Sequence, residues 1–343
     1  MKPIVPILLA VDMAVTAGCA SYKKNFKNKT VVNIGYFADS TITMLSNLDL
    51  SMSREETLLV RRFIDESAPE EQMVMQFDDQ LKVDIGNMVR YSIEIVNIAD
   101  SDLTETNKIY RYADYLVTFR DGLIEKHGVN FTLFDDTIEE VMAQTEFLEA
   151  LRKAQPLLNA AVMAAALDVD ELINAVEILS RKVDQRIDVE YADIIRYRAK
   201  LEREKFDVLT AFEIIYDAYR LDEPNLDALR DSGVIWTPEI IPEGRPTRDD
   251  LSNIGEHLHA RLQALDIVQN EMRPNWEDYM ATHRELDAVA DQTIQSAHKA
   301  RILMLTWVRA HQKMSSGTTD PAKWFDVGEV TKSLVKSAPG ALL

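Results

Sequence analysis

The residues of this 343-residue chain best suited to chemistry are six histidines and a single cysteine, Cys19. The densest group is Glu256-His257-Leu258-His259. On a helix Glu256 and His259, three apart, face the same side and can share a metal ion such as iron or zinc, with His257 beside them. A di-iron bundle needs two Glu-x-x-His pairs and two further glutamates. The residues three places before the other histidines are Ile124, Ile254, Met280, Gln295 and Val308, none of them acidic. Any metal site legible here therefore rests on Glu256, His257 and His259 alone. Phosphate-cradling loops are excluded, because no two glycines stand close enough for Gly-x-Gly or a Walker loop. No Gly-x-Ser-x-Gly elbow and no His-Glu-x-x-His helix occurs either. Tyr91, Tyr110, Tyr112, Tyr115 and Phe119 fall at helical spacing, as core and boundary residues do. With no recognisable catalytic set, the chain is expected not to be an enzyme.

Cys19 points elsewhere. A lone cysteine has no intramolecular disulfide partner. It follows Met1-Lys2, an apolar stretch from Ile4 to Val11, and the small residues Ala17-Gly18. A positive start, a short apolar run and small residues make a secretory signal peptide, residues 1–18. The Ala17-Gly18-Cys19 ending resembles the lipobox of bacterial lipoproteins. That resemblance implies lipidation of Cys19, cleavage before it and acylation of the new amino terminus. Because Ala20 rather than Asp follows, it further implies anchoring in the outer membrane of a Gram-negative host, facing the periplasm. A second resemblance is shorter: Gly255-Glu256-His257 is similar to the start of the Gly-x-His-x-x-Glu motif of imelysin-like proteins, helical exported proteins linked to iron uptake. Ala260 stands where that motif has its glutamate.

Charge separates the stem from the body. Lys23, Lys24, Lys27 and Lys29 fall within residues 19–30, which contain no acid, so the segment reads as a basic tether. Those four charges taken from the net −19 leave −23 on residues 31–343. An acidic body is repelled by nucleic acid and by anionic membrane surfaces, while the tether is drawn to the latter. Nucleic acid is therefore not an expected partner, whereas a membrane, through the lipid, is.

The elements that must position any site are helices. The 11 glycines are less than half the usual share of about 7%, and neither Gly nor Pro occurs from Leu157 through Glu223. Apolar residues there, among them Leu172, Val176, Leu179, Val183, Ile187, Tyr191 and Ile194, recur near the 3.6-residue period. Caps of the Ser/Asp-x-x-Glu kind at Ser53, Ser67, Asp136 and Asp168 mark starts. The pattern predicts helices near 31–51, 53–66, 69–126, 136–166, 168–222, 247–273, 275–316 and 320–337, with a break at Asp100-Ser101-Asp102. Residues 231–250, with Gly233, Pro238, Pro242, Gly244 and Pro246, predict a non-helical loop.

The expected architecture is all-α: an elongated bundle of long antiparallel helices over 31–343, with narrow apolar stripes like those of coiled coils. The expected function is a lipid-anchored envelope scaffold or adaptor that contacts another protein through a helix face. Its alternative is a periplasmic metal- or small-ligand-binding protein.

Overall fold

The computed structural model describes residues 29–46, 48, 54–64, 68–127, 133–221, 247–318, 320–328 and 330–331. Cys19, the signal segment, most of the basic tether and loop residues 231–246 lie outside them. The described chain is all-helical, with long helices packed against each other and no strand. In order they are α1 (Lys29–Ser46), α2 (Arg54–Phe63), α3 (Pro69–Ala99), α4 (Glu105–His127), α5 (Leu133–Met142), α6 (Phe147–Lys153), α7 (Gln155–Glu190), α8 (Ala192–Leu221) and α9 (Arg248–Ser315). A 3₁₀ turn at Pro321–Lys323 follows. No described helix is long and apolar enough to cross a membrane.

The break expected at Asp100-Ser101-Asp102 is present, and its chemistry is local. Ser101 Oγ donates to the Ile98 carbonyl at 2.6 Å, and Lys108 Nζ donates to the Ala99 carbonyl at 2.8 Å, so two carbonyls at the end of α3 gain partners. Thr104 Oγ1 accepts from Asn107 N, which starts α4.

Other boundaries differ from expectation. Asp168 caps nothing: it lies inside α7, which begins thirteen residues earlier with Pro156 in the first turn, where a missing N–H costs no hydrogen bond. Asp136 is likewise inside α5. The helix expected over 168–222 is interrupted at one residue, Tyr191, although the Tyr191 N–H still reaches the Ile187 carbonyl at 2.9 Å. Pro274 ends nothing, because α9 runs through it. Residues 248–250, where the expected loop 231–250 overlaps the expected helix 247–273, belong to α9. Asp250 Oδ2 accepts from Thr247 Oγ1 at 2.7 Å and from Thr247 N at 2.8 Å, which holds the Asp250 carboxyl below its usual range, and Thr247 Oγ1 in turn accepts from Asp250 N as the helix cap.

By its contacts the chain divides into two compact units. The first takes residues up to 58, 65–179 and 289 onward; the second takes 59–64 and 180–288. In the first, α3 and α4 are antiparallel, since Glu94 pairs with Arg111 and Asp84 with Lys126. The early part of α7 runs antiparallel to the late part of α9, as Gln155 meets Val308 and Ala166 meets Arg301. Along this part of α7 Ala161, Ala164 and Ala165 are buried, whereas Met163 and Leu167 are exposed. Trp324 packs edge-on against Tyr36, and Phe325 lies beside Phe37, so the turn after α9 docks on α1. In the second unit, Val208, Ala211, Ile215 and Ala218 of α8 bury against Leu251, Ile254, Leu258 and Leu265 of α9.

The first unit's core contains a chain of neutral hydrogen bonds. Gln155 Oε1 faces His311 Nδ1 at 2.8 Å, so Nδ1 carries the proton and Nε2 accepts from Tyr91 Oη at 2.9 Å. Tyr91 Oη is also 2.7 Å from Tyr112 Oη. His311 is fully buried, its ring is edged by Phe37, and none of these partners is charged. Burial lowers its pKa from 6.5 to about 3. Between those values the unfolded chain holds a proton on this ring and the folded chain does not. Stability therefore falls as pH drops through that window, at roughly 1.4 kcal/mol per pH unit. Urea midpoints measured across the window on wild type and His311→Gln should differ by this slope; parallel profiles would refute it.

Candidate functional site

One cluster of ionisable groups is built into the first unit's interior. Asp84 lies on α3, Lys126 and His127 form the last two residues of α4, and Asp168 sits in the middle of α7. Asp84 belongs to the buried stripe that includes Leu81, Ile85 and Met88, and Asp168 adjoins buried Val169 and Leu172. The apolar periodicity that folds α3 and α7 therefore turns both carboxylates inward.

Lys126 Nζ has three oxygens around it: Asp84 Oδ2 at 2.6 Å, Asp168 Oδ2 at 3.1 Å and the Gln80 carbonyl at 2.6 Å. His127 lies between the same carboxylates, with Nε2 3.6 Å from Asp84 Oδ1 and Nδ1 3.7 Å from Asp168 Oδ1. Those distances are too long for hydrogen bonds. The Asp84 side chain is 3% exposed and that of His127 8% exposed. Among the described residues His127 Nε2 is buried without a hydrogen-bond partner, whereas Asp84 Oδ2 and Asp168 Oδ2 are both held by the Lys126 ammonium. Burial pushes the Asp84 carboxyl above its ordinary range, and the Lys126 ammonium pulls against that shift.

One ligand atom each from Asp84, His127 and Asp168 can be chosen so that all lie within 4.8 Å of one another, the only such group among the described residues. Glu256, His257 and His259, the metal donors expected from sequence, are all exposed on α9 around buried Leu258, and His259 Nε2 pairs with Gln263 Nε2 at 3.0 Å. Cys19 lies outside the described residues.

A second feature is apolar. On α8, Phe206, Leu209, Tyr216 and Tyr219, spaced at 3, 7 and 3 residues, are all exposed, Phe206 and Tyr216 each at 68%. Arg248 lies over the Tyr219 ring at 5.2 Å. The opposite side of the same helix carries the buried row from Val208 to Ala218.

No family model, curated protein or solved structure matches this chain. Its chemistry has to be read from its own residues. Sequence reading missed the cluster because Asp168 imitates an N-cap and because no two members lie within one helical turn except Lys126 and His127. The available signal was a carboxylate at a core register of two separate helices, which demands a partner.

Proposed function

We propose that this chain is a lipid-anchored adaptor of the cell envelope, tethered through Cys19 and acting by protein–protein contact rather than by catalysis. The observation that supports this reading is the α8 face, where four large apolar side chains stay exposed on a helix that buries Val208, Ala211, Ile215 and Ala218. Isolated exposed hydrophobes are ordinary, but a row at helical spacing is an anchor pattern for a partner helix. Glu213 falls between Leu209 and Tyr216, and the body carries a strong net negative charge. The partner that fits is an amphipathic helix of another envelope protein with basic residues flanking its apolar stripe.

The test is site-specific photo-crosslinking in intact cells. A crosslinker replacing Phe206 or Tyr216 should capture one basic helical segment, identified by mass spectrometry. One placed at exposed Glu256 should not. Changing Leu209 to Glu should abolish capture, and changing Cys19 to Ala should reduce it by releasing the body from the membrane. Capture that is equal at all three positions, or of a second copy of this chain only, would sink the adaptor reading.

A further inference from the structure

We infer that Asp84, His127 and Asp168 form a binding site for a divalent first-row transition ion of the zinc, manganese or iron kind, which Lys126 fills as an internal stand-in until the ion displaces it. Three observations converge on this. The ligand atoms already lie within 4.8 Å of one another, so small rotamer changes bring them onto a common centre. His127 Nε2 is buried without a hydrogen-bond partner, and its nearest carboxylate oxygen, at 3.6 Å, is about as far as two ligands of one zinc ion stand from each other. The Lys126 ammonium marks where positive charge is favoured, with three oxygens of α3 and α7 converging on it.

Charge explains why the ammonium can be replaced. Two buried carboxylates face one ammonium, so a divalent ion neutralises the pair more completely than Lys126 does. Lys126 has a flexible four-carbon stem, lies in the last turn of α4 and is 16% exposed at its side chain, which gives it a route outward. The donor set also selects the metal. One imidazole nitrogen with two carboxylates suits zinc, manganese or iron, whereas calcium needs six to eight oxygens and magnesium a near-ideal oxygen octahedron.

The experiment uses the purified full chain stripped with chelator and titrated with zinc by calorimetry, with metal content measured after dialysis. One equivalent per chain is expected. Affinity should fall at least about tenfold in His127→Ala and in Asp168→Asn, stay unchanged in the double variant His257→Ala/His259→Ala, and rise in Lys126→Ala, where the competitor is gone. A large excess of magnesium should not displace the zinc. Should a variant fail to fold, cobalt-loaded wild type still decides the matter: its ligand-field absorption and paramagnetically shifted His127 ring protons should appear together. Sub-stoichiometric zinc, binding that survives loss of His127 or Asp168, or unshifted His127 protons in the cobalt protein would each overturn the proposal.

Discussion

Trp307→Ala lowers the stability of the first unit by about 3–5 kcal/mol, seen as a shift of the urea midpoint with little change in its slope. Trp307 is fully buried. Its ring meets Tyr91 edge-on at 5.6 Å and Phe37 at 6.3 Å, and its Nε1 donates to Ser92 Oγ at 3.0 Å. Removing the indole opens a cavity where α1, α3 and α9 converge, and close-packed neighbours relax only in part. Trp307→Phe separates the two contributions. It keeps most of the volume but loses the donor to Ser92, so it should cost about 1–2 kcal/mol. An alanine variant within about 1 kcal/mol of wild type would show that this ring does not hold the junction together.

The all-helical class was legible because glycine is scarce and the apolar period is 3.6 over long windows. Helix ends were legible only where the signal was steric or truly local. Asp100-Ser101-Asp102 ends α3 because Ser101 and Lys108 supply partners to its last carbonyls. Asp168 and Glu171 carry the same residue types as a capping box, yet flanking apolar packing continues the helix through them. Tertiary contacts then spend the Asp168 carboxylate on Lys126. Pro274 shows packing overriding propensity in the same way. A proline inside a helix costs about 3 kcal/mol, but Leu265 before it and Leu286 after it are both buried, and Trp276 stacks under the Arg198 guanidinium at 3.9 Å. Continuing the helix keeps all of these contacts.

Candidate sites were legible in proportion to how local they are. Glu256, His257 and His259 are close in sequence and so invite a reading, yet their side chains face solvent and are not drawn together. Asp84, His127 and Asp168 span 84 positions and three helices, and only the antiparallel register of α3 and α4 with α7 beside them makes a cluster. Residues that act together from different helices leave a register anomaly in each helix and no motif. A carboxylate on a buried stripe is that anomaly.

The same reasoning gives the second large effect. Lys126→Met, measured in the presence of chelator so that no ion substitutes for the ammonium, should destabilise the first unit by about 3–5 kcal/mol. Methionine keeps the length of the stem but removes the ammonium that bridges Asp84 and Asp168, leaving two like charges close together and away from water. An exposed pair behaves differently. Arg196 and Asp193 on α8 are both open to solvent, and deleting that bridge should cost well under about 1 kcal/mol. The cause of the large effect can be isolated by adding Asp84→Asn to Lys126→Met. The amide preserves shape while removing one of the two charges, so the double variant should recover at least about half of the loss, a coupling far above the additive expectation. Recovery identifies stranded charge as the source of the instability, because lost packing of the lysine stem would remain in the double variant. With chelator replaced by excess zinc, Lys126→Met should be stabilised more than wild type, since an ion entering that variant displaces no ammonium.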